Sequence, residues 1–228
     1  MMPDVHPNQA NQSLTQTLTD LYTTTQTQLP ETARTVLAQN IQTLTHSGIA
    51  QRTLQIGDRV PNFSLANIHG NRVELQTLLS AGSVVISFYR GTWCSYCNAE
   101  LAALQDALPA IEQLGATLIA ISPQQTRHSR KLIIESGITY ETLIDTNNQV
   151  ARQLGLVFEL TTEVDQVHRG LGVSIRVQNA TRRSELPIPA TYIIRPDGEA
   201  VFAFVNPDYT ARLDPVEIIT VLRQLQVT

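Results

Sequence analysis

The sequence predicts an α/β fold built on a parallel sheet and preceded by a helical extension. Three observations carry this. Val84–Phe88 and Thr117–Ser122 are apolar runs rich in β-branched residues, the mark of strands buried on both faces. Between them Leu101, Leu104, Leu108 and Ile111 recur at helical spacing, so strand, helix and strand alternate. Residues 1 to about 50 are rich in Thr and Gln, poor in charge, and carry helical stripes without strand alternation.

The chain has 228 residues and divides into an N-terminal helical extension, 1–50, and a single domain, 51–228. In the extension, Leu14, Leu18 and Leu21 share one helical face behind a capping pair, Ser13 with Gln16. Pro30-Glu31 reads as the first turn of a second helix, with the stripe Val36, Leu37, Ile41 and Leu44 and a stop at Gly48. The many threonines lower helix propensity, so both helices need a surface to pack on. A hairpin docked on its own domain is expected, in preference to a dimerisation arm or an active-site cover. Ile56–Leu65 and Asn67–Leu75 form a hairpin about His69-Gly70-Asn71, and Leu75–Leu79 is a short turn into the Val84 strand. Arg127–Ser136 is a helix, Tyr140–Asp145 a strand, and Asn148–Leu154 a short helix ending at Gly155. Residues 156–186 show no clear period. Arg169, Arg176, Arg182 and Arg183 make them locally basic, a solvated face more than a docking patch. Leu186–Ile194 leads into a strand that turns at Arg195-Pro-Asp-Gly198 and returns along Ala200–Val205. Pro215–Leu225 closes the chain as an amphipathic helix with Val216, Ile219, Val221 and Leu222 turned inward.

Cys94 and Cys97 are the only cysteines, and they sit where strand becomes helix. Side chains three apart on a helix lie roughly 5–6 Å apart on one face. The amide dipole at a helix start favours a thiolate, so at least one thiol is expected to titrate well below free cysteine. A structural disulfide closing so short a loop removes little unfolded-state entropy. A metal site needs further ligands, and His6, His46, His69, His128 and His168 are scattered without ligand spacing, so no metal and no cofactor is expected. The dithiol therefore reads as a redox device.

Other function classes fall away on composition. A net charge of −4 provides no footprint for nucleic acid or an anionic membrane. No phosphate-binding G-x4-G-K-[ST] occurs, Lys131 is the sole lysine, and Gly170-Leu-Gly172 opens no strand–turn–helix. No run approaches the ~20 apolar residues of a membrane span. A lone vicinal cysteine pair without a visible secretory signal suggests a reducing compartment, with a cytoplasmic location expected.

Gly57-Asp58, Pro61-Asn62-Phe63-Ser64-Leu65, Phe88-Tyr89, Cys97-x-x-Glu100 and Thr191-Tyr-Ile-Ile194 with Asp197-Gly198 resemble the alkyl hydroperoxide reductase/thiol-specific antioxidant (AhpC/TSA, peroxiredoxin) superfamily over about residues 52–228. Tyr89-Arg-Gly-Thr-Trp-Cys-Ser-Tyr-Cys97, Glu185-Leu-Pro-Ile-Pro-Ala-Thr-Tyr192 and Asp208-Tyr-Thr-x-Arg212 are similar to peroxiredoxin-like proteins that carry a C-x-x-C. The resemblance implies a thioredoxin-like fold, a central mixed sheet flanked by helices. It also implies thiol-dependent reduction of hydroperoxides through Cys94 and Cys97, with re-reduction by an external thioredoxin- or glutaredoxin-type dithiol. A homodimer is compatible with it.

Departures from the family pattern keep two further readings open. The peroxidatic position falls on Cys97, the family threonine three residues earlier is replaced by Cys94, and the family arginine falls on Pro189. Loss of one preorganised donor typically costs about 3–4 kcal/mol in the transition state. Arg90 and Arg212 are the residues that stand in as charge stabilisers. Thr92-Trp93-Cys94-x-x-Cys97 with Pro189 also resembles thioredoxin-like protein disulfide reductases. There an exposed Cys94 attacks and Cys97 resolves, while Thr92, Trp93, Ile188 and Pro189 position substrate. That likeness implies a cis Ile188–Pro189 bond presenting the Ile188 backbone to a disulfide substrate. The third reading is a non-catalytic redox sensor or interaction module. Asp145, at a strand end, is expected to be a turn residue more than a proton acceptor for the dithiol.

Overall fold

A computed structural model describes residues 13–227; residues 1–12 of the predicted extension, His6 among them, lie outside the described residues. Helices α1 (Leu14–Gln28) and α2 (Glu31–His46) form the extension. The Ser13 hydroxyl accepts from the Gln16 amide at 3.3 Å, as its capping position predicts. Pro30 takes the N-cap of α2, so the helix begins at Glu31, one residue later than predicted.

The domain follows in order: β1 (Ser64–Asn67), β2 (Arg72–Glu74), α3 (Leu75–Ala81), β3 (Ser83–Phe88), α4 (Ser95–Gln113), β4 (Ala116–Ser122), α5 (Thr126–Glu135), β5 (Glu141–Ile144), α6 (Gln149–Gln153), β6 (Val157–Glu159), α7 (Thr162–Gly170), α8 (Ile175–Asn179), β7 (Glu185–Pro187), β8 (Ala190–Ile194), β9 (Ala200–Val205) and α9 (Pro215–Leu225). Seven strands make one sheet in the order β2-β1-β5-β4-β3-β8-β9, and β6 pairs with β7 apart from it. Only β3, β4 and β5 run parallel to one another; β1, β2, β8 and β9 are antiparallel to their neighbours. The central sheet is therefore mixed.

Strand β3 shows why these runs are apolar throughout. Val85 points into a layer with Leu101, Leu104 and Ile111 of α4, whereas Val84, Ile86 and Phe88 point into the opposite layer with Leu75 of α3 and Val150 of α6. A third, smaller cluster joins Leu37 of α2 to Val164 of α7, Ile175 of α8 and Leu186 of β7. The extension thus packs on its own domain, α1 against α4 and α2 against α7.

Four local expectations are corrected. The first hairpin strand is confined to Ser64–Asn67, because Gly57–Val60 bonds instead to Gly198 and Ala200 at the β8–β9 turn, with an isolated bridge of Arg59 with Glu199. Leu75–Leu79 is helix, burying Leu75 and Leu79 at i and i+4. In α9 Ile218 joins Leu222, four residues on, as a buried residue; Ile219 and Val221 are partly buried against the core as expected, but Val216 is 67% exposed. The Ile188–Pro189 bond is trans, as are all peptide bonds among the described residues. Trans is the lower-energy isomer, and the two-residue step from β7 to β8 needs no reversal of the chain.

Candidate active site

From the end of β3 the chain turns through Tyr89–Trp93 into α4. The turn is pinned by Gln124, whose side-chain oxygen accepts from the Thr92 amide at 2.7 Å and the Thr92 hydroxyl at 3.0 Å. The Thr92 carbonyl accepts from Asn98 at 2.9 Å, so Thr92 holds the loop rather than facing a substrate. Gly91 has φ +146°, and a Cβ there would lie 2.4 Å from the Trp93 indole nitrogen. Glycine is what lets the indole fold back over the turn.

Cys94 is the N-cap of α4, in extended conformation, and Cys97 is the third helical residue. Both are free thiols. Cys94 is only 3% exposed and Cys97 not at all, which corrects the expectation of an exposed Cys94. Cys94 nevertheless lines a cavity of about 200 Å³ together with Arg90, Trp93, Tyr209, Leu29 and Leu37. Leu29 and Leu37 belong to the extension, so the hairpin that docks on its own domain also walls this cavity. A larger open depression of about 550 Å³ beside β1 and α5 contains neither cysteine.

Two arginines supply the charge. Arg212 Nη2 donates to Cys97 Sγ at 3.3 Å, and its Nε donates to Glu100 Oε2 at 2.7 Å. The carbonyls of Tyr209 and Ala211 accept from its remaining nitrogen. The Arg90 guanidinium carbon lies 4.8 Å from the Trp93 ring centre and 4.2 Å from that of Tyr209. Arg90 Nη2 meets His168 Nε2 at 3.0 Å, and His168 Nδ1 meets the Val164 carbonyl at 2.8 Å. A carbonyl only accepts, so Nδ1 carries the proton and Nε2 is the acceptor for Arg90. His168 also presents an edge to Trp93, with ring centres 5.5 Å apart.

These contacts divide the two sulfurs. The hydrogen bond from the Cys97 thiol lowers the Cys94 pKa to about 5 against the opposing effect of burial, helped by the charges of Arg90 and Arg212. Burial, and then the proton it gives to Cys94, push Cys97 well above the ordinary thiol range. The directions of the two shifts favour the thiolate at Cys94 and the thiol at Cys97. Burial raises Glu100 to about 7 although Arg212 opposes it.

Other predicted residues sit further back. The Ile188 amide is taken by the Leu156 carbonyl at 2.8 Å, so it is not free to pair with a docked strand. Pro189 does not line this cavity but shares a separate small pocket with Arg90, His168 and Tyr209. Asp145 accepts from the Val150 and Ala151 amides at 3.0 and 2.9 Å, the strand-end role expected of it. Arg169, Arg176 and Arg183 pair with Asp165 or Glu185 on the surface. His168 and Tyr209 were not legible as site residues. The only trace of His168 is its place four residues after Val164 on an α7 face capped by Thr161.

His168 is held down to about 4 by burial and by the Arg90 charge. Its folded pKa lies below the unfolded value, so the stability it contributes is present above about pH 6.5 and is lost as pH falls towards about 4. Glu100 changes stability in the opposite sense across part of this window. The difference between wild type and His168→Gln isolates the histidine: urea denaturation is expected to show the variant gaining on wild type by up to about 3 kcal/mol from pH ~6.5 to ~4. A difference that does not vary with pH would disprove the neutral buried imidazole.

Comparison with known proteins places this geometry. The AhpC/TSA family model matches residues 56–202. The chain is 28% identical over 104 residues to the thiol-disulfide oxidoreductase ResA of Bacillus thuringiensis, covering 45% of this chain and 59% of that protein. It is 24% identical over 166 residues to the 1-Cys peroxiredoxin PER1 of Triticum aestivum, covering 70% and 67%. The fold is shared with peroxidoxin BcpB of Mycobacterium tuberculosis, at a TM-score of 0.60 and 22% identity over 75% of this chain and 98% of that one.

Proposed function

The chain belongs to the AhpC/TSA family, and from that premise we propose that it is a thiol-dependent oxidoreductase reducing hydroperoxides through Cys94 and Cys97. The observation that carries this is a pair of free thiols at the start of α4, Cys94 on the wall of a cavity that Arg90 also lines and Cys97 behind it against Arg212, with pKa shifts that favour the thiolate at Cys94. The Cys94 thiolate attacks the terminal oxygen of a hydroperoxide; the O–O bond breaks, Cys94 becomes a sulfenic acid carrying the terminal hydroxyl, and the alkoxide leaves as the alcohol with a proton from solvent. Arg90 and Arg212 are the cations nearest the negative charge that develops. Cys97 then gives up its proton and attacks the Cys94 sulfur, releasing water and closing the disulfide. Glu100, on the same face of α4 as Cys97 and titrating near 7, is the acceptor for that proton. An external thiol donor restores the dithiol. The main alternative, reduction of protein disulfides by the same Cys94 thiolate, is favoured by its low pKa. The walled cavity and the occupied Ile188 amide stand against it.

No helix among the described residues is long and apolar enough to cross a membrane. We place the protein in a reducing compartment, the cytoplasm, where the dithiol is regenerated.

Trp93 adjoins Cys94, so its fluorescence reports the sulfur state. One equivalent of cumene hydroperoxide is expected to consume both thiols and change that fluorescence. Added thiol is expected to sustain turnover, which a pure sensor would not do. Thiols and fluorescence unchanged over minutes would refute the peroxidase reading.

A further inference from the structure

The cavity over Cys94 holds a cation whose surroundings bear on the reductive half of the cycle as well as on the peroxide step. Arg90 is 5% exposed, and among the described residues no Asp or Glu forms an ion pair with it. Its Nε has no hydrogen-bond partner, and its Nη2 rests on a neutral imidazole. A buried cation without a counter-charge is costly, and in the reduced protein the thiolate of Cys94 supplies that charge. Arg212, by contrast, keeps Glu100 in both redox states. Closing the Cys94–Cys97 disulfide removes the thiolate and leaves Arg90 with the Trp93 and Tyr209 ring faces and the His168 imidazole but no anion, beside a cavity of about 200 Å³. An anion therefore binds the oxidised form better than the reduced one, which is the preference expected of a reductant. The cavity is too small and too walled by Leu29 and Leu37 for a protein loop, while Cys97 does not line it.

We propose, resting on the dithiol cycle above, that the reductant of the Cys94–Cys97 disulfide is a small thiol bearing a carboxylate, seated in this cavity with the carboxylate on Arg90. The donor thiolate attacks Cys94 sulfur, forming a mixed disulfide there, and Cys97 leaves and takes a proton. A second donor thiolate attacks the donor sulfur of the mixed disulfide, forming the donor's own disulfide and returning the Cys94 thiolate. Two donor thiols are oxidised and one enzyme disulfide is reduced.

The test uses the full chain oxidised with diamide, so that it does not depend on peroxide chemistry. Reduction is followed by Trp93 fluorescence with 3-mercaptopropionate, 2-mercaptoethanol and cysteamine, the rates expressed per thiolate. The anionic thiol is expected to be roughly tenfold or more faster than the neutral one and the cationic thiol slowest, with the advantage shrinking in salt. Arg90→Gln is expected to bring the ratio close to one, and Arg90→Lys to keep part of it. Should Arg90→Gln not fold, the wild-type ordering still decides, together with propionate binding, which is expected to be stronger to the oxidised than to the reduced protein. Equal rates for the three thiols would overturn the proposal, as would a ratio untouched in Arg90→Gln. So would a thioredoxin at micromolar concentration outrunning millimolar 3-mercaptopropionate. Failure of hydroperoxide to form the disulfide in the first place would sink the peroxidase reading instead, and the two failures are distinguishable.

Discussion

Cys94→Ser is expected to slow the reaction of the protein with hydroperoxide at pH 7 by at least about a hundredfold, because it removes the thiolate that is the nucleophile. Cys97 remains, but it is fully buried, does not line the cavity, and holds its proton. Cys97→Ser keeps the first step and stops there, accumulating a Cys94 sulfenic acid that a dimedone-type reagent captures. The same pair makes a pH prediction. Wild-type reactivity is expected to fall as pH drops through about 5, where Cys94 takes up its proton. Without the donor thiol Cys94 binds its proton more tightly, so in Cys97→Ala the midpoint moves up. Cys97→Ser keeps a hydroxyl donor and moves less. Ultraviolet absorbance of the thiolate follows all three. A reactive Cys94→Ser beside an inert Cys97→Ser would assign the first step to Cys97 and overturn the order proposed here.

Arg212→Met carries the largest expected effect on stability. The Arg212 and Glu100 side chains are 1% and 2% exposed, so removing the cation strands a buried carboxylate. Breaking a buried pair on one side typically costs about 3–5 kcal/mol. Protonation limits the damage: burial already raises Glu100 to about 7, and loss of Arg212 raises it further. Its folded pKa then lies well above the unfolded one, so the folded carboxyl is neutral at low pH and its cost grows as pH rises above the unfolded value. Urea denaturation is therefore expected to show a larger loss at about pH 8 than at about pH 5.5. Adding Glu100→Gln recovers most of the stability, because no charge is left unpaired. It does not recover fast disulfide closure, because Cys97 has lost both its charged donor and its proton acceptor. A loss independent of pH, or a double variant closing its disulfide at the wild-type rate, would refute these roles.

Much of the fold was legible because it is local. The continuous apolar runs of β3 and β4, the i, i+3, i+4 stripe of α4 and the Ser13 cap each announce their element within a few residues. Residues 156–186 were not legible. Their short helices α7 and α8 and the strand pair β6–β7 carry too few periods to rise above composition, and their apolar positions pack against α2, more than a hundred residues earlier. The trans bond at Pro189 departs from the likeness to disulfide reductases, because the path between β7 and β8 does not require the cis isomer.

The sequence alone determined that two thiols stand at a helix start after a buried strand, and hence that the chemistry is redox. Spacing and the helix dipole act over one turn and need nothing else. The burial and the charges that surround the two sulfurs were decided by the tertiary structure. Arg212 reaches Cys97 across 115 residues of chain, and His168 reaches Arg90 across 78. Proton affinity in a buried site depends on charges and donors within a few ångströms in space, wherever in the chain they arise. The cavity that makes Cys94 the reachable sulfur is likewise built from an extension whose own helices reveal only that they must pack on something.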